Sequence, residues 1–303
     1  MISGFDSENC LFVDIDIFGK NYLNSKTNKF PIDLQSLLVI NFDEHNNNLN
    51  INIANNTIFS KPIYLINNIN CNFNIIINVG DNSQLTIIDH KQNQNSITKI
   101  ICERYSVLDY YVVQNMDNSK LYIQQNINSK FMAKILANNS NDNKLQLELN
   151  LLEANTFAEL NVLQNTKHTY IHSVDLLINH LTTGSSSYTL TRTIAADQSS
   201  ANLNGKIVVH KSAKKTQANL QNKSLILSKQ ASIISCPELL IDNNDVICTH
   251  GSSVGNLDAN ALFYIQTRGI SLKDASQMLL QAFLQPIIQK IKYPEIVNYL
   301  DCL

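Results

Sequence analysis

Long apolar runs are missing from this 303-residue chain. None approaches the 18 or so residues that a membrane-spanning helix needs. The opening decapeptide, MISGFDSENC, has neither a basic region nor a small-residue cleavage site, so a cytoplasmic protein without a membrane partner is expected. An excess of positive charge is missing too. With 23 Lys and Arg against 25 Asp and Glu, a net charge of -2, there is no basic footprint for nucleic acid and no polybasic arm for anionic lipid. The six cysteines, Cys10, Cys71, Cys102, Cys236, Cys248 and Cys302, are scattered, and none is spaced Cys-x-x-Cys. That excludes a zinc ribbon or a thioredoxin-type dithiol and makes reduced thiols the expectation. There is no Walker A sequence and no Gly-x-Gly-x-x-Gly, so any dependence on ATP has to come from a partner.

Proline is scarce, five in the whole chain, and the space it leaves is filled by short apolar runs. From about residue 37 to 250, segments such as LNINIAN, KLQLELNLL, SYTLTRTI and GKIVVHK alternate polar and apolar positions, the period of strands with one buried face. Helical periodicity is weak there and no repeated strand-helix pattern appears, which disfavours a parallel sheet with crossover helices. Among a sandwich, a barrel and a stacked solenoid, the solenoid suits the number of strands best. Asn at its corners tolerates left-handed backbone and can ladder between coils, although no sharp internal repeat is visible. The chain therefore divides into an N-terminal extension (1-36), a β core (37-255) and a helical tail (256-303). In the tail, one helix is expected to start near Asn256 or Asp258 and end at Gly269. A second follows from Ser271, with Asp274 in the capping-box position, and is expected to kink or end at Pro286. Leu272, Ala275, Met278, Leu279, Ala282 and Phe283 form one apolar face on it. Such a stripe usually faces a core, but a short tail has little core of its own to join, so part of the face is available to a partner. Phe263, Tyr264 and Arg268 read as a wedge holding the first helix against the last β coil.

The segment DVICTHGSSVG (245-255) carries the most chemistry. Cys248 and His250 lie two apart on an expected strand end and share a face, ahead of a glycine-rich bend. They suit a metal-ligand pair or a nucleophile-base pair. Ser252 and Ser253 follow, but there is no obvious carboxylate to orient a base, which weakens the nucleophile. A strand cysteine is also often a small buried hydrophobe, and a lone histidine often a hydrogen-bonded residue. His168, His172 and His180 could be imagined around zinc, with hydrogen-bonded strand histidines the plainer expectation. Cys236, beside Pro237, reads as a packing residue.

The pieces NGKIVV, AKKTQANLQNKSLILS, CPELLIDNNDVICTHGSSVG and LFYIQTRGI, in that order, resemble the C-terminal half of the SufB/SufD family of iron-sulfur cluster assembly proteins. Cys-x-His-Gly at 248-251 is similar to the SufD branch, while NNDV (243-246) and SCPELL (235-240) depart from the usual family pattern. The resemblance implies a right-handed parallel β-helix with a small C-terminal helical subdomain, an all-β fold class, and most of the family's N-terminal helical domain absent. It implies a scaffold of the SUF system rather than an enzyme. Its partners would be a SufB-type paralogue, paired through the β-helix, and a SufC-type ABC ATPase, held by the apolar face of the second tail helix. The isolated chain could instead pair with itself. Cys248 and His250 would then contribute iron ligands for a nascent iron-sulfur cluster at the subunit junction, none being held stably by the chain alone, and a flavin in the complex is left open. Two other readings compete: a β-helix enzyme acting on polysaccharide, for which the carboxylates are sparse and dispersed, and a structural paralogue without metal chemistry.

Overall fold

A computed structural model describes residues 2, 5, 10-14, 36-43, 45-67, 74-91, 96-114, 118-138 and 142-301. Its strands in chain order are β1 (Leu11–Asp14), β2 (Leu38–Asp43), β3 (Asn48–Ile53), β4 (Ile63–Asn67), β5 (Asn74–Val79) and β6 (Gln84–Lys91). Next come β7 (Ser96–Cys102), β8 (Val107–Gln114), β9 (Ser119–Gln125), β10 (Lys130–Asn138), β11 (Asn143–Leu151) and β12 (Phe157–Thr166). The last six are β13 (Ile171–His180), β14 (Ser186–Ala195), β15 (Ser200–Val209), β16 (Thr216–Ile226), β17 (Ser232–Ile241) and β18 (Val246–Gly255). From β3 onward the chain deals its strands alternately into two nine-stranded sheets, ordered β1-β4-β6-β8-β10-β12-β14-β16-β18 and β2-β3-β5-β7-β9-β11-β13-β15-β17. Every ladder is parallel except β2 with β3. This is a parallel β-solenoid. β1, within the stretch read as an N-terminal extension, adds the first strand to the first sheet.

Strand alternation fills the lumen. Leu85, Leu108, Phe131, Ala158, Ser187 and Ala218 stack in one inward column, and Ile63, Ile87, Tyr110, Ala133, Leu160, Thr189 and Leu220 in the next, all of them buried. The step between coils grows from 23 residues (Leu85 to Leu108) to 31 (Ser187 to Ala218), so the structural period drifts and leaves no fixed sequence repeat. At one corner a file of left-handed residues, Asn56, Asn82, Tyr105, Asn128, Asn155, Gly184 and Lys215, turns the chain. Asparagine and glycine adopt that backbone at least cost. Each passes its N–H to the following coil, as Asn128 does to the Ala154 carbonyl at 3.1 Å. Side-chain amides ladder as well, Asn82 to Asn56 at 3.1 Å and Asn179 to Asn150 at 2.8 Å.

The tail forms α1 (Ala259–Gln266), α2 (Leu272–Ile288) and α3 (Pro294–Asp301). The Asp258 carboxylate caps α1 by accepting from the N–H groups of Asn260 and Ala261, and Ser271 caps α2 through Asp274. Two tail expectations change. α2 runs through Pro286 to Ile288, because the one lost N–H lies where packing holds the helix: Ile287 is buried and Leu284 half-buried. The tail also has a core to join. Ile287, Ile291 and Ile296 pack with Tyr64, Ile88, Tyr111, Val113, Leu136 and Leu163 on the outer face of the first sheet, where Ile2, Phe5 and Cys10 from the N-terminus meet them. Polar ties fasten it: Lys290 to Glu159 at 2.5 Å, Lys292 to Asp109 at 2.9 Å, and Arg192 Nε to the Phe283 carbonyl at 3.0 Å. Asp109 also holds the buried Lys134.

Candidate functional site

β18 ends one sheet and β17 ends the other, so the last coil has no neighbour stacked on it among the described residues. Its two strands present unsatisfied edge groups, and exposed apolar side chains accompany them: Ile247 at 68%, Ile234 at 58%, Leu240 at 46% and Val254 at 43% exposure. Edges of this kind are templates for pairing with another chain.

Cys248 and His250 do share a face. Cys248 continues the inward column of Ala218, and His250 that of Leu220. Cys248 is half-buried, packed on the core beside Leu239 and Val246. Burial pushes its thiol up, against a smaller opposing effect of the Ala218 backbone hydrogen bond. His250 is exposed. The position that would be lumen in any earlier coil is therefore surface here. The expected glycine-rich bend does not occur: β18 continues through Gly251 to Gly255, because Gln221–Leu225 of β16 offers a ladder along the whole length.

A polar chain crosses the lumen beneath this end. Thr191 donates to Asn222 Oδ1 at 3.0 Å, Asn222 Nδ2 donates to Ser235 at 3.3 Å, and Ser252 donates to Ser235 at 2.9 Å, joining β14, β16, β17 and β18. Among the described residues no cluster of three or more His, Cys, Asp or Glu could hold a metal. Cys248 and His250 supply two donors and no more, so any four-coordinate site needs ligands from elsewhere.

The other candidates fall as follows. On α2, Leu272 (57%) and Met278 (48%) are exposed and so is Ala282, Leu279 is half-buried, Ala275 is buried, and Phe283 lies under Arg192 with 5.3 Å between guanidinium and ring centroid. Ala275 thus offers no surface in this structure. α1 buries none of its residues. Phe263 (69%) and Tyr264 (60%) point to solvent rather than wedging against the last coil, and Arg268 stacks on Tyr264 and donates to its hydroxyl at 2.9 Å. Those two aromatics were missed as a surface; two adjacent rings outside the apolar stripe were the available signal. The three histidines do not converge. His168 sits exposed in a turn, His172 is buried against Thr166 at 2.9 Å, and His180 is buried between Ser185 (2.7 Å) and Ser187 (2.8 Å). Burial brings the His180 imidazole down to about 4. Cys236 is exposed on the outward side of β17, so it does not pack as expected. Cys71 and Cys302 lie outside the described residues.

Residues 66–283 match the SUF system FeS cluster assembly, SufBD core domain. The chain is 37% identical over 103 residues to the iron-sulfur cluster assembly protein SufD of Escherichia coli, covering 34% of this chain and 24% of that protein. It is 26% identical over 222 residues to an iron-sulfur cluster assembly SufBD family protein of Synechocystis, 72% of this chain and 45% of the relative. Against SufD of Bacillus subtilis it is 32% identical over 114 residues, 38% and 26% of the two chains. The matches thus span a quarter to just under half of these relatives' lengths.

Proposed function

The chain belongs to the SufB/SufD family of SUF-system iron-sulfur cluster assembly proteins, and from that premise we propose that it is a SufD-type scaffold subunit, not catalytic by itself. The uncapped β17/β18 end pairs with a SufB-type paralogue. The exposed side of α1 and α2, with Phe263, Tyr264, Leu272 and Met278, holds a SufC-type ABC ATPase, the nucleotide-driven part that this chain lacks. Cys248 and His250 supply two ligands to the cluster being built at the junction, and the paralogue supplies the rest.

One observation carries this reading: a sulfur and an imidazole stand on the inward side of a terminal strand where, among the described residues, no further coil covers them. A thiolate and an imidazole suit iron-sulfur iron, whereas magnesium and calcium prefer oxygen. The Cys248 thiol, pushed up by partial burial, keeps its proton until iron displaces it. A cluster held by few ligands across a separable interface is also one that a client can remove.

Co-expression with a SufB-type and a SufC-type partner tests the assembly. The three chains are expected to co-purify. Ile247→Asp with Ile234→Asp should release the paralogue and keep the ATPase, and Phe263→Asp with Met278→Asp should do the reverse. Co-purification indifferent to both pairs of substitutions would sink the proposal.

A further inference from the structure

The polar chain beneath the last coil has a direction. Thr191 donates to Asn222 Oδ1, which fixes the amide so that Nδ2 faces β17 and donates to Ser235 at 3.3 Å. Ser252 donates to the same Ser235 hydroxyl at 2.9 Å. A hydroxyl carries two lone pairs and one proton. Both acceptor positions of Ser235 are therefore taken, and its proton has no acceptor among the described residues.

Packing alone does not call for this chain. In earlier coils the same two columns are apolar: Val112, Ile135 and Val162 precede Thr191 and Asn222 on the first sheet, and Leu145, Val174 and Leu203 precede Ser235 on the second. Solvent does not account for the change either. It begins two coils below the last one, where Thr191 and Asn222 are each only 1% exposed, and burying an amide in place of an aliphatic side chain costs free energy unless its bonds are made. The uncommitted proton lies beside the candidate ligands. Ser252 follows His250 by two residues on one face of β18, about 7 Å along the strand, and Ser235 meets it from β17. Cys248 stands about twice as far along the strand.

We propose that Ser235 hydrogen-bonds a sulfur of the cluster under construction, next to the iron that His250 ligates, and that Asn222 is the positioning residue that turns the Ser235 proton there. This rests on the reading of Cys248 and His250 given above. The sulfides of an iron-sulfur cluster are its acceptors, and a donor placed on one draws electron density from the cluster and raises its reduction potential.

The reconstituted three-subunit complex tests this by redox titration followed by electron paramagnetic resonance, with loss of the cluster to a chelator as the second readout. Ser235→Ala should lower the potential and speed the loss roughly threefold to tenfold, the range of one hydrogen bond, and Ser235→Thr should restore both. Asn222→Leu, which continues the apolar column, frees the Ser235 proton to turn and should give part of the same shift with the fold intact. Thr249→Ala, at an outward residue of β18 that accepts from Asn219 at 2.7 Å, should change neither readout. Parent values in Ser235→Ala or in Asn222→Leu, no recovery in Ser235→Thr, or an equal shift in Thr249→Ala would overturn the inference while His250→Ala still lowers cluster yield. A yield indifferent to His250→Ala would instead overturn the ligand reading on which it rests.

Discussion

Gly205 faces the lumen from β15, and a Cβ built there would stand 2.7 Å from Cδ2 and 3.3 Å from Cδ1 of Leu220 on the opposite sheet. Leu220 is fully buried and is the ladder neighbour of His250, so it has little room to withdraw and directly underlies the candidate site. In Gly205→Ala two effects oppose. Removing glycine from a strand gains roughly 0.5–1 kcal/mol through the stiffer unfolded chain. Forcing a methyl into a filled lumen costs about 1–3 kcal/mol. The crowding should win by about 1 kcal/mol, lowering the urea midpoint by roughly 0.5 M for a typical denaturant slope. Leu220→Val removes both δ-carbons and should relieve the clash. The double variant is then expected to be more stable than the sum of the singles by at least about 0.5 kcal/mol. Paired urea titrations of the four proteins read this directly. A Gly205→Ala protein as stable as the parent, or strictly additive singles, would refute the claim that the lumen is closed at this level.

Acid should weaken the fold through its buried histidines. In the folded chain burial brings His180 and His90 to about 4, below the 6.5 of an unfolded histidine, so between those values only the unfolded chain takes the proton. Their stabilising effect is complete above pH 6.5 and is lost as pH falls toward 4, by about 1.4 kcal/mol per unit for each. His180→Gln should therefore show a shallower loss of urea midpoint between pH 7 and pH 5, and parallel curves would contradict it. Iodoacetamide should modify exposed Cys236 before half-buried Cys248, whose thiol is pushed up, and should leave Cys102, at about 12 in the lumen, untouched until unfolding; mass spectrometry of timed digests checks the order. Arg192→Met removes the tie to the Phe283 carbonyl and the stacking on that ring, so hydrogen exchange along the C-terminal half of α2 should quicken about tenfold with the solenoid unaffected.

The solenoid was legible because its strands alternate cleanly, as in KLQLELNLL, and because asparagine marks corners that need left-handed backbone. The shared face of Cys248 and His250 followed from the same alternation. The docking of the tail was not read, yet it left a trace: VLDYYVVQ (β8) and KFMAKILAN (β10) break alternation because both faces are buried, one in the lumen and one beneath α2 and α3. No local pattern could reveal which coil would be last, since that depends on whether another strand pairs with β18, and none does among the described residues. Nor could it reveal that β18 runs on through Gly251, because the support comes from β16, some thirty residues earlier. Pro286 does not end α2 for a related reason, packing at Ile287 outweighing one missing backbone bond.

The central claim is that the end of this solenoid lends ligands to a growing cluster. Anaerobic reconstitution of the three-subunit complex with iron and sulfide, read by cluster absorbance per complex, tests it with His250→Ala, an exposed residue whose loss leaves the fold intact. Cluster yield should fall by about tenfold or more while the subunits stay associated and ATP hydrolysis continues; an intact complex that builds clusters as well without the imidazole would contradict the claim.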